Sequence, residues 1–254
     1  MTKLRAAIWD CNGTWFNDER VYEVCAAIAF KEICGVEMSH EDYMRHFFGK
    51  ATSIEDTKKF LLEHEYDNFD VIPKVFAYED QLYVEMLMTG HITVRPGVLE
   101  MFHALKDHGC AQAIATGAQR AHIDLLWELF DLPPVDLAVT SDNVLYPKPH
   151  EETFRQAAMG LNVNPAHAVG FDDSIVGVSS ASNAGICAVG ITDEVYTSDL
   201  LKEALGNAGA LHIGPFSTMT LEHVLAAHQM HLDRHYSSNL EVPALERSFG
   251  ITFN

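Results

Sequence analysis

Positive charge is scarce in this chain. Lys and Arg together number 17 against 36 Asp and Glu, a formal net charge of −19. A field of that sign repels nucleic acid and anionic lipid, and neither is an expected partner. It repels phosphate esters as well, so a site for one needs local compensation from a metal ion, a lysine or a helix N-terminus. Paired cysteine is missing too. The five cysteines (Cys11, Cys25, Cys34, Cys110, Cys187) are odd in number, widely spaced and without a C-x-x-C pair. That pattern excludes a disulfide framework or zinc ribbon as the organising device and points to a reducing compartment. No run of apolar residues approaches a membrane span, and the short apolar stretch before Asp10 falls short of a signal peptide. The expectation is a cytoplasmic protein. Internal repeats and low-complexity segments are also absent.

What remains is the composition of a folded protein, 48% hydrophobic and 21% charged over 254 residues. Residues 4–10 (LRAAIWD) form a short apolar run ending on an acid, as a buried parallel strand does. Gly13-Thr14 breaks it. Residues 18–89 then read as helical, with apolar periodicity around Val21–Ile33, Ile54–Leu62 and Val75–Met88. From Val94-Arg95-Pro96-Gly97-Val98 the texture changes to strand-like runs at 111–115, 135–139, 167–171 and 187–191, with a weaker one at 210–213. Helices are expected at about 97–108, 118–130, 150–161, 175–184, 198–207 and 220–230. Strands alternating with helices indicate a Rossmann-like α/β core, a parallel sheet with helices on both faces, carrying an inserted α-helical unit. The expected division is a core of 1–16 and 93–232, a helical unit of 17–92, and a tail of 233–254 without clear periodicity that serves as a surface arm or oligomer contact. The expected state is a monomer or homodimer.

In an open parallel sheet, ligands bind beyond the carboxyl ends of the strands. Asp10-Cys11-Asn12-Gly13-Thr14 follows the first strand, Thr116-Gly117 the second, Pro147-Lys148-Pro149 lies in the loop after the third, and Asp172-Asp173-Ser174 follows the fourth. Carboxylates, a hydroxyl with free amides and a lysine are thus expected at one rim. Hard oxygen ligands suit Mg²⁺. Thr116 opens a helix, where a hydroxyl and unbonded N–H groups can hold phosphate oxygens. Lys148 can neutralise both a nucleophile and a phosphoryl group, and a carboxylate can attack phosphorus.

These motifs, in this order and with Ala184-Gly185 closing the last, resemble the haloacid dehalogenase superfamily, and Val94–Gly109 resembles its β-phosphoglucomutase and phosphoglycolate phosphatase branch. The resemblance covers about residues 4–228 and implies that the helical unit is the family's cap. It implies Asp10 as nucleophile and Mg²⁺ ligand, the Asn12 carbonyl as a second ligand, and Asp173 with Asp172 completing the metal site. It further implies Thr116 and Gly117 as phosphate-binding, Lys148 as anchor of nucleophile and phosphate, and a small phosphorylated metabolite as substrate. Lys50 is the cap residue expected to contact substrate, with a surface lysine as the alternative.

Asn12 departs from the family pattern, whose phosphatases carry an aspartate there as general acid/base. An amide hydrogen-bonds but exchanges no proton near neutral pH, and such catalysis is worth ~10²–10⁴-fold. Three readings follow: a phosphatase that draws its proton elsewhere, a different reaction of the dehalogenase or phosphonatase kind, or a protein that binds a phosphorylated ligand without turnover. Among other candidates, Trp9 and Phe171 read as core or site wall. Arg120 and His122 follow the second motif on a helix, where substrate contact is one reading and a solvated helix face the preferred one; Cys11 reads as a buried spacer, and His223, His228, His231 and His235 as a solvated or subunit-facing helix rather than a metal site.

Overall fold

A computed structural model describes residues 3–48, 53–192 and 198–240. Its centre is a parallel sheet built from β1 (Ala6–Trp9), β2 (Ala111–Ala115), β3 (Leu137–Val139), β4 (Ala168–Asp172), β5 (Cys187–Ile191) and β6 (His212–Gly214). The strand order is β3-β2-β1-β4-β5-β6. The chain runs outward from β1 through β2 to β3, then returns to place β4 on the other side of β1. The crevice at this reversal, beyond Trp9 and Phe171, is where an open parallel sheet binds ligand.

Helices cover both faces, as the continuous apolar runs require. Successive β1 side chains go to opposite layers. Ala7 and Trp9 join one core with Phe102, Phe171 and Val224, while Ala6 and Ile8 join another with Phe154, Ala181 and Leu205. The first layer is covered by α5 (Val98–Asp107) and α10 (Leu221–Leu240) and the second by α7 (Glu152–Gly160), α8 (Ile175–Asn183) and α9 (Asp199–Asn207); α6 (Arg120–Leu129) follows β2. Trp9 stacks on Phe171 with centroids 4.3 Å apart, and both are fully buried, so they are core residues. The helix expected at 220–230 continues to Leu240, through the start of the segment expected to be an aperiodic tail.

Between β1 and α5 lies the helical insert, with α1 (Glu19–Cys34), α2 (His40–His46), α3 (Ile54–Glu63) and α4 (Ile72–Met88). Ser39 and Ser53 cap α2 and α3, each accepting a bond from the third helical N–H. Phe30, Phe47 and Phe60 pack edge-on or tilted at its centre. The two crossings between insert and core lie side by side: Asn17 N–H donates to Thr93 at 2.8 Å and Arg95 N–H to Trp15 at 2.7 Å. Lys50 lies outside the described residues.

Candidate active site

The end of β1 sets the site. Asp10 leaves the strand with its N–H donating to the Phe171 carbonyl at 2.9 Å. Because Trp9 pairs with Phe171, the carboxylates of Asp10 and Asp172 emerge from adjacent strand ends. Lys148 joins them from the loop after β3, its ammonium donating to Asp10 Oδ1 at 2.6 Å and to Asp172 Oδ2 at 2.8 Å. All three are buried. The other oxygen of Asp172 accepts the N–H (2.9 Å) and hydroxyl (2.7 Å) of Ser174. Ser174 in turn caps α8 by accepting from Gly177 N–H at 3.0 Å. Capping and site-building are therefore combined in Asp172-Asp173-Ser174.

Asp173 sits across from Asp10. Its Oδ1 accepts the Thr14 hydroxyl at 3.1 Å. Two glycines make room for these acids. Gly13 has φ +72°, and a Cβ there would run into the Asp173 carboxylate; a Cβ at Gly177 would run into Asp172. Oxygens of Asp10, Asp172 and Asp173 all lie within 4.8 Å of one another. Burial raises the pKa of Asp10, with Asp172 adding to the rise and Lys148 pulling against it. Asp173 is pushed up by burial, then by Asp172 and Asp10. Burial acts against the charged form of Lys148, but Asp10 and Asp172 outweigh it and keep the ammonium charged. Lys148 holds two of these carboxylates and the charge of Arg95 pulls Asp173 down, yet burial and mutual repulsion still raise Asp10 and Asp173, an excess of negative charge that a hard divalent cation would relieve.

Thr116, buried at the end of β2, is anchored by its N–H to the Val139 carbonyl at 3.0 Å, and its hydroxyl accepts from Ala118 N–H at 3.2 Å. Thr116 and Gly117 face a cavity of about 780 Å³ that also exposes Asp10, Asn12, Lys148 and Asp173. The sequence-derived residues Asp10, Asn12, Thr116, Gly117, Lys148, Asp172 and Asp173 are thus brought together.

Asn12 is engaged in a direction the sequence did not show. Its amide donates to Asp18 Oδ2 at 2.8 Å and to the Tyr83 hydroxyl at 3.0 Å. Asp18 also accepts the Tyr83 hydroxyl at 2.7 Å and Gly13 N–H at 2.7 Å. Tyr83 comes from α4, so the insert reaches down to the loop that carries the site. Asp18 is fully buried; burial raises its pKa while the bonds from Asn12, Tyr83 and Gly13 hold it down. Six positions separate Asn12 from Asp18, a spacing with no recognised chemistry, and Tyr83 lies too far along the chain for any local signal.

The far wall of the cavity belongs to the insert: Glu19, Tyr22 and Ala26 on α1, Tyr43 and Phe47 at α2, and Glu79, Asp80 and Val84 on α4. Burial, with Asp80 nearby, pushes Glu79 up to about 7. His122 also lines the cavity, its ring edge-on to Tyr83 at 4.8 Å. This corrects the reading of His122 as a solvated face. Burial lowers its pKa against the pull of Asp18 and Asp80, so the imidazole is neutral near neutral pH. Arg120 does lie on the solvated face, paired with Asp124 at 2.8 Å. Cys11 is buried. Two of the α10 histidines need correction too, while His223 and His235 are exposed as expected: His228 is buried and its Nε2 donates to the Ala166 carbonyl at 3.0 Å, and His231 donates to Gly185 at 3.0 Å. They dock the helix on the core.

The model of the haloacid dehalogenase-like hydrolases matches residues 4–185. The chain belongs to the haloacid dehalogenase-like hydrolase family. It is 31% identical over 212 residues to the protein CbbY of Rhodobacter capsulatus, covering 77% of this chain and 88% of that one. It is 28% identical over 219 residues to the validoxylamine A 7'-phosphate phosphatase of Streptomyces hygroscopicus subsp. limoneus, covering 83% and 99%. Among solved structures, a haloacid dehalogenase hydrolase of family IA, variant 3, from Entamoeba histolytica superposes with TM-score 0.75 at 26% identity, covering 89% and 99%. Among the described residues, no helix of this hydrolase is long and apolar enough to cross a membrane.

Proposed function

We propose that the chain is a Mg²⁺-dependent phosphatase of small phosphorylated metabolites that works through an aspartyl-phosphate on Asp10. The observation that carries this reading is the Lys148 ammonium held between Asp10 and Asp172 at 2.6 and 2.8 Å, at the floor of a cavity that also presents Thr116. The phosphatase named among the relatives supports it.

A carboxylate oxygen of Asp10 attacks phosphorus, forming an O–P bond as the ester O–P bond breaks and the alkoxide leaves to take a proton from solvent; water then attacks the aspartyl-phosphate, gives its proton to solvent, and returns Asp10 and inorganic phosphate. Lys148 fixes the attacking carboxylate and offsets charge on the phosphoryl oxygens. The Thr116 hydroxyl and the amides at Gly117 hold those oxygens. The donor set of Asp10, Asp173 and the Asn12 carbonyl suits Mg²⁺, with Asp172 assisting, since both its oxygens already hold Ser174 and Lys148. When bound, Mg²⁺ supplies positive charge against the phosphoryl group. The insert acts as a cap that limits water around the reacting atoms. Asn12 orients and does not exchange protons, so leaving groups of low pKa are turned over fastest.

A second reading is favoured by Asn12 itself, whose amide is committed to Asp18 and Tyr83: the site holds a phosphorylated ligand without turnover. Incubation with Mg²⁺ and a phosphoester panel that includes acetyl phosphate separates the two. Phosphate release with a mass-spectrometric adduct on Asp10 supports the phosphatase. Neither release nor adduct across the panel overturns it.

A further inference from the structure

The cavity above Asp10 has an asymmetric charge distribution. Lys148 is the one Lys or Arg among the described residues lining it, and Asp10 and Asp172 already hold it. The opposite wall, where a leaving group must sit, carries Glu79 and Asp80 on adjacent positions of α4. Glu19 adds a third carboxylate, which accepts the Tyr43 hydroxyl at 3.3 Å. His122 brings no compensating charge, because burial keeps it neutral. Tyr22 lines the same space, its ring stacked on Tyr83 at 4.5 Å. A second phosphate or a carboxylate on the substrate would meet this wall at a cost, in a volume partly shielded from water. A cation there gains from the carboxylates, and its charge favours the ionised forms of Glu79 and Asp80 against the burial that raises both.

We infer that the substrate is a phosphomonoester whose leaving alcohol carries an ammonium group, read by Glu79 and Asp80. This rests on the proposed phosphatase reading of the same site. It also fits the chemistry around Asn12. A cationic substituent makes the departing oxygen less basic, which eases its release where residue 12 donates no proton. The cavity, at about 780 Å³, admits an amino sugar or amino alcohol of ordinary metabolite size.

The test uses substrates of matched shape and different charge: ethanolamine phosphate, ethylene glycol phosphate and phosphoglycolate, together with glucosamine and glucose phosphorylated on the primary hydroxyl. The kcat/KM values with Mg²⁺, and calorimetric Kd values for the same compounds, are measured for the wild-type chain, Glu79→Gln and Asp80→Asn. The inference expects the ammonium member to be favoured over the neutral one by about tenfold or more, and the carboxylate member to be worst. It further expects the ammonium-to-neutral ratio to collapse toward unity in both variants. Equal or reversed preference, or a ratio unchanged by both substitutions, overturns it. A uniform loss across all substrates in Glu79→Gln also overturns it, by assigning Glu79 a proton-carrying or structural role. Ammonium-selective binding without any turnover upholds the reading of the ammonium group by Glu79 and Asp80 and overturns the phosphatase reading. Absence of both binding and turnover overturns both.

Discussion

The side-chain amide of Asn12 donates to the buried carboxylate of Asp18 at 2.8 Å, and the Tyr83 hydroxyl closes the triangle by donating to the same oxygen at 2.7 Å. Residue 12 is thus fitted to an anion. Asn12→Asp alone places a second carboxylate against Asp18, and one of the two must take up a proton or separate. The expected result is a loss of about 1–3 kcal/mol in stability at neutral pH, read from denaturant midpoints. Combining it with Asp18→Asn reverses donor and acceptor. The double variant is expected to recover most of the stability and to raise phosphoester hydrolysis by ~10²-fold or more. A double variant no more stable than Asn12→Asp would show that the pair is not the constraint.

Lys148→Met keeps the bulk of the side chain and removes its charge, leaving Asp10 and Asp172 buried without their ammonium. Removing one partner of a buried pair typically costs ~3–5 kcal/mol, offset here to the extent that the acids protonate. Phosphoester hydrolysis is expected to fall by ~10²-fold or more. A thermal melt and a phosphate-release assay measure the two effects separately, and activity within a few-fold of wild type would remove Lys148 from the chemistry.

Mg²⁺ is expected to stabilise the folded chain by mass action, by about 2.7 kcal/mol when it exceeds its Kd a hundredfold. Asp173→Asn withdraws charge from the three-carboxylate cluster and is expected to abolish most of that shift. The measurement is Tm against Mg²⁺ concentration, with K⁺ at equal ionic strength as control. An equal response in wild type and variant would exclude Asp173 as a ligand.

The docking of α10 carries a pH signature. Burial lowers the pKa of His228, with His231 and His167 adding to the fall and the bond to Ala166 opposing it. The unfolded chain therefore takes a proton at about 6.5, while the folded chain takes it only at lower pH. Between those values the unfolded state binds more protons, so stability is complete above ~6.5 and is lost as pH falls. His228→Gln keeps an N–H donor and is expected to flatten the decline of Tm between about pH 7 and 5, by up to ~1.4 kcal/mol per pH unit. Parallel curves for wild type and variant would place the acid sensitivity elsewhere.

The strand ends were legible because two local signals coincide there. Continuous apolar runs such as AAIW and AVGF are buried on both faces, and a parallel sheet must put the residues that follow them on one rim. Thr116 and Asp172 follow the same rule. The α10 histidines were misread because periodicity places His228 and His231 on a shared face without revealing what the face meets. The carbonyls of Ala166 and Gly185 are partners from another part of the chain.

The sequence by itself determined the order of strands and helices, the position of the helical insert, and the meeting of Asp10, Thr116, Lys148 and Asp172 at the sheet's carboxyl rim. Each follows from backbone geometry acting over a few residues, which the pattern of apolar and polar side chains records. Tertiary structure alone decided that Asn12 faces Asp18 and Tyr83, that His122 turns into the cavity, and that Glu79 and Asp80 line its far wall. Those pairings join residues up to 71 positions apart. They depend on how α4 and α6 pack over the end of β1, and packing is settled by the shapes of two surfaces together, which neither segment encodes alone.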